Sequence, residues 1–186
     1  MFKLNYVLLP DEALMQRIAQ RDERAFAALY DRYGARIYRY FYRMLWQDAG
    51  KSEDFTQDLF LKIIEKPHLY NPDRSFRTWI YAVALNMCKN EYRRKMPAMQ
   101  EWDTTFPEPQ EYFIPESLDR PVLEAALRTA IENLSESHRQ CFVLRYQEEL
   151  TVPEIAEIIG CPAGTVKSRL HHAVRQIAGK VSFLQS

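Results

Sequence analysis

Three stripes of residues in this sequence have side chains that could do chemistry. The first lies on a predicted helix from about Gly164 to Ala178, whose exposed side carries Thr165, Lys167, Ser168, His171, His172 and Arg175 and no acid. Such a face offers only donors and cations. On duplex DNA, Lys or Arg can meet guanine O6 and N7, and the whole set can meet phosphate. The second stripe is Asp54, Gln57, Asp58, Leu61 and Glu65, spaced i, i+3, i+4, i+7 and i+11. An acidic strip with one leucine suits docking on a basic partner helix, with charge giving steering and Leu61 giving burial. From this helix alone, an ordinary solvated face is the simpler reading. The third stripe is Trp79, Ala82, Asn86, Lys89 or Asn90, and Arg93. Interleaved aromatics, amides and cations match single-stranded nucleic acid, where rings stack on bases and cations track phosphates. Trp79 reads more simply as core. Asn86 and Asn90 are poor mid-helix residues without a cap or a ligand to satisfy.

Catalytic alternatives find little support. Glu65-Lys66-Pro67-His68 has the Glu-x-x-His spacing of carboxylate-bridged di-metal bundles. Pro67 breaks the helix that would have to present both ligands, and no second copy exists. His171-His172 are adjacent, and adjacent helical residues do not face one another. There is no glycine-rich phosphate loop, Ser/His/Asp grouping or Cys/His cluster. The expectation is no catalytic residue, no metal and no cofactor.

The elements that position these stripes are helical. In 22–45, apolar residues fall at Phe26, Leu29, Tyr30, Tyr33, Ile37, Tyr40, Phe41 and Met44, the stripe of one buried face. Ser52-Glu53-Asp54 reads as a cap with acids in the first turn, opening a helix that Pro67 stops at about Lys66. Its core face is Phe55, Leu59, Phe60 and Ile63. Ser75 can cap a helix from Phe76 to about Lys95 with a core stripe of Phe76, Ile80, Val83 and Met87. Further on, Leu123, Ala126, Leu127, Ala130, Ile131 and Leu134 repeat the stripe, and Leu134-Ser135-Glu136 opens a helix through Cys141, Phe142 and Tyr146.

Thr151-Val152-Pro153-Glu154 is a capping box with Pro in the first turn. Ile155, Ala156 and Ile159 give that short helix its buried face. Gly160 accepts left-handed geometry at its end, and Pro162 stops it resuming in line. The next helix buries Val166, Leu170, Ala173, Val174 and Ile177. This is a helix-turn-helix whose second helix can enter a major groove. A helical hairpin with a solvated basic face is the bland alternative.

The chain has 186 residues, enough for one large or two small domains, with Lys+Arg 25 balancing Asp+Glu 25. At 47% apolar and 27% charged it is an ordinary globular composition, not a disordered one. The zero net charge hides segregation. From Arg74 to Lys95 there are six bases and one acid, Glu91; from Met96 to Asp119, six acids and no base; from Cys161 onward, four bases and no acid. The acidic stretch holds Pro97, Pro107, Pro109 and Pro115, a composition that favours extended conformers. Residues 97–120 therefore read as a linker between two helical domains. Cys88, Cys141 and Cys161 lie far apart, as in a reducing compartment. No apolar run can cross a bilayer and the first residues do not read as a signal peptide, so the expected location is the cytoplasm.

In order along the chain, these pieces resemble an extracytoplasmic-function (ECF, group 4) sigma factor of the sigma-70 family of bacterial RNA polymerase. The resemblance runs from about Glu12 to Ala178. Ser52-Glu53-Asp54-Phe55-Thr56-Gln57-Asp58-Leu59-Phe60-Leu61-Lys62 is similar to region 2.2. Phe76 to Asn86, Phe76-Arg77-Thr78-Trp79-Ile80-Tyr81-Ala82-Val83-Ala84-Leu85-Asn86, with Arg93-Arg94, is similar to regions 2.3 and 2.4. Leu150 to Ala156 and Gly164-Thr165-Val166-Lys167-Ser168-Arg169-Leu170 are similar to region 4.2.

The resemblance implies an all-α protein of two small helical domains. Residues 1–96 would be the region 2 bundle, 97–120 a flexible acidic linker, and 121–186 the region 4 helix-turn-helix domain. It implies that Asp54, Gln57, Asp58 and Leu61 dock on the β′ clamp helices of core RNA polymerase, with the β subunit a further contact. Tyr70, Arg74, Asn86, Lys89, Asn90, Arg93 and Arg94 would engage the −10 element, and the loop from His68 to Ser75 would receive a flipped base. Thr165, Lys167, Ser168, Arg169, His171, His172 and Arg175 would read the −35 element. An anti-sigma factor, often membrane-anchored in this family, would be a further partner, the chain itself staying out of the membrane. His171 and His172 stand where many members have an aromatic and an arginine. If either is protonated when bound, −35 affinity weakens as pH rises through neutrality.

The linker is long enough for this arrangement. Two DNA sites two helical turns apart are separated by about 70 Å. Twenty-four residues extend to about 80 Å. Its charge suggests passage through a basic polymerase channel, or cover for the basic helices in the free protein. The competing class is a stand-alone helix-turn-helix regulator, but the N-terminal half shows no receiver pattern or ligand-pocket signature.

Overall fold

The computed structural model describes residues 5–95 and 120–182. The chain divides into two compact units, 1–95 and 96–186, with no strand among the described residues. The expected linker lies outside the described residues except for its last position, where a helix begins.

The first unit is a bundle of α1 (Asp11–Ile18), α2 (Glu23–Met44), α3 (Ala49–Glu65) and α4 (Phe76–Lys95). Asp22 caps α2 by accepting from the amides of Arg24 and Ala25 at 3.0 and 3.2 Å. From there Ala25, Leu29, Tyr33, Ile37, Phe41 and Met44 enter the core. Leu29, Ile37, Phe41 and Met44 each contribute roughly 1.5–3 kcal/mol on burial. Tyr30, expected in that stripe, is largely exposed; its ring lies edge-on to Phe60 at 4.8 Å and covers Gly34. A Cβ at Gly34 would lie 3.3 Å from the Tyr30 ring, a contact that a shift of that exposed ring by a few tenths of an ångström relieves.

Two expectations are corrected here. Ser52 does not cap α3: it is fully buried within the helix and its Oγ donates back to the Asp48 carbonyl. Asp48 is the cap, accepting from the Lys51 amide at 3.0 Å. Asp48 stands four residues before Ser52, and the helix starts there because helix from Ala49 onward buries Ser52 and Thr56 against the bundle. In α4 the buried stripe is Phe76, Ile80, Tyr81, Ala84, Leu85, Cys88, Glu91 and Tyr92, while Val83 and Met87 are half-buried. The helix is apolar on several sides, and Phe76, Tyr81 and Tyr92 lie on the side that faces in.

Ties between distant residues fix α4. Its first amide donates to Glu12 of α1 at 3.1 Å, and the Thr78 amide donates to Ser75 Oγ at 3.4 Å. At the other end the Tyr92 hydroxyl donates to the Met44 carbonyl. Glu91 is buried and paired with both Lys51 and Arg94.

The second unit contains α5 (Arg120–Glu132), α6 (Glu136–Phe142), α7 (Val152–Ile159) and α8 (Ala163–Ser182). Ser135 caps α6, accepting from the His138 amide. α6 runs on through a π-helical turn, Val143–Gln147. Ala130 and Leu134 pack on Ala173 and Ile177 of α8, with Leu123, Leu127, Ile131 and Phe142 around them.

Candidate nucleic-acid and partner interface

On α3 the core takes Leu59, Phe60 and Ile63, with Phe55 half-buried. This leaves Asp54, Gln57, Asp58, Leu61 and Glu65 exposed together on the outer face. Leu61 is 51% exposed and Ile64, three residues on, 47%. Sequence reading missed Ile64 because it sits beside the buried Ile63 in an apolar run. Leu69, 51% exposed in the 3-10 turn Pro67–Leu69, is a third apolar side chain in this stretch.

The loop into α4 is built around Tyr70. It is buried, its ring edge-on to Phe76 at 5.6 Å and Trp79 at 5.3 Å, and its hydroxyl donates to the Arg74 carbonyl at 2.5 Å. Burial, then the carboxylates of Glu12, Asp11 and Asp73, push the phenol up to about 12. Tyr70 thus shapes the loop from within and does not present a ring to a base. Asn71 turns the chain beneath it, accepting from the Asp73 amide at 3.0 Å. Arg74 and His68 are exposed on the loop.

Along α4, Asn86, Asn90 and Arg93 form an exposed face at i, i+4 and i+7, with Lys89 half-exposed beside it. Trp79 is half-buried against Tyr70 and Phe76 at the near end. Arg94 is 74% exposed but held by Glu91 at 2.8 Å.

The helix-turn-helix is set by local bonds. Thr151 Oγ1 accepts from the Glu154 amide while Glu154 accepts from the Thr151 amide at 2.7 Å, completing the capping box. Ile155 and Ile158 are the buried residues of α7; Ile159 is half-buried. Gly160 has φ +77° and its amide closes the helix on Ala156. α8 starts at once and buries Val166, Leu170, Ala173 and Ile177. Val174, expected in that set, is 41% exposed, because it lies one position round from the Ala173 contact with α5.

Lys167, Ser168 and His171 are exposed on α8, and Thr165 and Arg175 half-exposed. Two expected members turn inward. His172 packs on the buried His138 of α6, ring centroids 5.9 Å apart. Arg169 lies beside the Cys141 thiol, which burial pushes up to about 11 against the opposing pull of that guanidinium. The outward set is therefore narrower than the sequence stripe. The π turn adds a feature with no sequence signal: Tyr146 is 55% exposed, its ring tilted against Phe142 with centroids 4.9 Å apart.

A bundle with an exposed acidic strip and a donor-lined helix, followed by a separate helix-turn-helix, is the arrangement of a two-module DNA-binding transcription factor. The sigma-70 region 2 family model matches residues 29–97 and the sigma-70 region 4 model residues 124–177. The RNA polymerase sigma-H factor of Pseudomonas aeruginosa is 31% identical over 174 residues, 88% of this chain and 89% of that protein. The ECF RNA polymerase sigma-E factor of Escherichia coli is 31% identical over 184 residues, 93% and 95% of the two chains. The protein belongs to the ECF sigma factors of the sigma-70 family. Among solved structures, CnrH in complex with the cytosolic domain of CnrY superposes with TM-score 0.68 at 22% identity, over 91% of this chain and 95% of that one. The sigma factor RpoE of Bartonella quintana, in complex with the anti-sigma factor NepR, gives 0.64 at 20% identity, over 84% and 96%. Those likenesses establish the all-helical fold. The protein is an RNA polymerase sigma factor: it binds core enzyme and promoter DNA and directs transcription initiation, and sigma factors are regulators of transcription, not catalysts. No helix among the described residues is long and apolar enough to cross a membrane.

Proposed function

We propose that the two units divide the work by residue as follows. Residues 1–96 form the docking and −10 module, 97–120 tether it, and 121–186 form the −35 module. Asp54, Gln57, Asp58 and Leu61 seat the first module on the β′ clamp helices. Arg74, Asn86, Lys89, Asn90 and Arg93 line the −10 contact, with Tyr70 acting only as the support of the loop. Lys167, Ser168 and His171 face the −35 duplex with Thr165 and Arg175 at the margin, and Arg169 and His172 support them from behind. The chain carries no catalytic residue of its own and acts in the cytoplasm. An anti-sigma factor, membrane-anchored or free, holds it inactive; the sigma factor RpoE, of the same fold, is captured with such a partner.

The observation that carries this reading is the exposure of Asp54, Gln57, Asp58 and Leu61 together on one face of α3, away from the core that Leu59, Phe60 and Ile63 enter. Opposite charge steers two helices together, and a half-exposed leucine supplies the apolar contact that holds them. The test is capture by core polymerase followed by run-off transcription. Asp54→Lys with Asp58→Lys should weaken capture at least tenfold, about 1.4 kcal/mol, while leaving duplex −35 binding by the second unit unchanged. Undiminished capture overturns the docking assignment.

A further inference from the structure

The head of the acidic strip is a base. Lys51, in the first turn of α3, precedes Asp54 and Asp58 by three and seven residues, on the same helix face. Its ammonium pairs instead with the Glu91 carboxylate, forty residues on in α4. The other oxygen of Glu91 holds Arg94 at 2.8 Å. One carboxylate, its side chain 3% exposed, therefore bridges the head of the docking helix and the end of the DNA-facing helix.

The surroundings make this bridge part of a clasp. Next to Glu91, the Tyr92 hydroxyl donates to the Met44 carbonyl and its ring lies edge-on to Trp46 at 5.1 Å. The Lys95 ammonium sits 4.4 Å from the centre of the Trp46 ring. Trp46 and Gln47 both have positive φ, +56° and +58°, in the turn between α2 and α3. Bulky residues seldom adopt that backbone, and it persists only where surrounding contacts impose it. The end of α4 is thus fastened to the turn that launches α3.

Charge geometry gives the clasp a consequence for DNA. Asn86, Asn90 and Arg93 share the outward face of α4, and Arg94 stands between that face and Glu91. A guanidinium held by a carboxylate pairs with no phosphate and so displaces none of the counterions condensed on DNA. An unheld one would add a sequence-independent phosphate contact.

We propose that Glu91 is a positioning residue for promoter engagement. It locks the DNA-facing stripe of α4 to the head of the polymerase-docking strip and keeps Arg94 off the phosphates, leaving Arg93 as the cation that meets DNA. This rests on the interface assignment above. Removing the carboxylate frees Arg94 to bind any DNA, so affinity for non-promoter sequence rises and discrimination falls.

The test uses the full chain assembled with core polymerase, measuring binding to promoter DNA and to non-promoter duplex as salt is varied. Arg93→Gln should flatten the dependence of log K on log salt by about 0.7–0.9, one phosphate. Arg94→Gln should leave that slope at the wild-type value. Glu91→Gln should steepen it by about 0.7–0.9 and lower the promoter to non-promoter ratio about tenfold, with core affinity within twofold of wild type. Combining Glu91→Gln with Arg94→Gln should return the slope to wild type, which a merely structural role of Glu91 would not do. The proposal is overturned by an unchanged slope in Glu91→Gln, or by a flattening in Arg94→Gln equal to that in Arg93→Gln. The second comparison decides the matter even if Glu91→Gln does not fold. Wild-type assembly that formed no salt-sensitive promoter complex would instead overturn the interface assignment.

Discussion

The two units bring a donor-bearing helix to the surface by opposite means. In the first, beyond the local Ser75 cap, α4 is held by residues far away in sequence: Glu12 at its first amide, Met44 at Tyr92 and Lys51 at Glu91, separations of 64, 48 and 40. In the second, the geometry ahead of α8 is set by neighbours: Thr151 with Glu154, Gly160 at the turn, and Ser135 with His138. The difference follows from the tasks. A helix-turn-helix reading a duplex needs only the angle its own turn supplies. On the roles proposed above, a helix presenting DNA contacts beside a helix seated on polymerase has to be aimed relative to that neighbour. Restraints of that kind come from across the bundle and carry a larger loop-closure cost.

The largest break in this comparison should come from the core of the first unit. Ile80→Ala, at a fully buried position of α4, should destabilise that unit by about 3 kcal/mol, the usual cost of a cavity. Amide exchange should accelerate throughout α1 to α4 together, because the long-range ties cannot hold singly. In the second unit Gly160→Ala should cost about 1–2 kcal/mol through the left-handed backbone alone, since no atom lies within 4 Å of the added Cβ. Urea melting monitored by exchange in α7 and α8 would show it. If Gly160→Ala proved neutral, the local turn would not be what fixes this unit.

A pH titration sharpens the contrast. The hydrogen bond from Lys51, and then its charge, hold the Glu91 carboxyl below the ordinary value of 4.5. A depressed folded value means the stabilisation is complete above the unfolded value and is lost as pH falls through and below 4.5. Lys51→Met should remove about 1–2 kcal/mol at neutral pH and flatten the loss of first-unit stability between pH 5 and 3. Retention of the full acid sensitivity in that variant would show that other carboxylates dominate.

These contrasts also explain what could be read from the chain alone. Thr151-Val152-Pro153-Glu154 and Gly160 were legible because both partners of each device lie within a few residues. So were Ser135, Ser75 and the outward face of Asp54, Gln57, Asp58 and Leu61. Ser52 was the wrong cap for α3 because Asp48, four residues earlier, is an equally good one, and only packing chooses between them. The inward stripe of α4, the enclosed Tyr70 and the Arg169 approach to Cys141 depend on partners whose distance in sequence leaves no pattern. Nor does periodicity announce the π turn at Val143–Gln147 or the positive φ of Trp46 and Gln47.

The smallest effects give the most direct comparison, because both units contain a carboxylate that satisfies an amide at a helix start. Thr151→Ala removes one half of a box whose two partners are three residues apart, and should cost about 1 kcal/mol. The loss should be confined to exchange at the first turn of α7. Glu12→Gln keeps the shape of the side chain that accepts from the Phe76 amide but removes its charge, and should cost about 0.5 kcal/mol. Its effect should appear at both ends of the tie, in α1 as well as in the first turn of α4. Spread of this kind is the signature of a long-range restraint. If the Glu12 variant altered exchange only at Phe76 to Trp79, the local Ser75 cap would be what holds this end of α4, and the two units would differ less than their long-range bonds indicate.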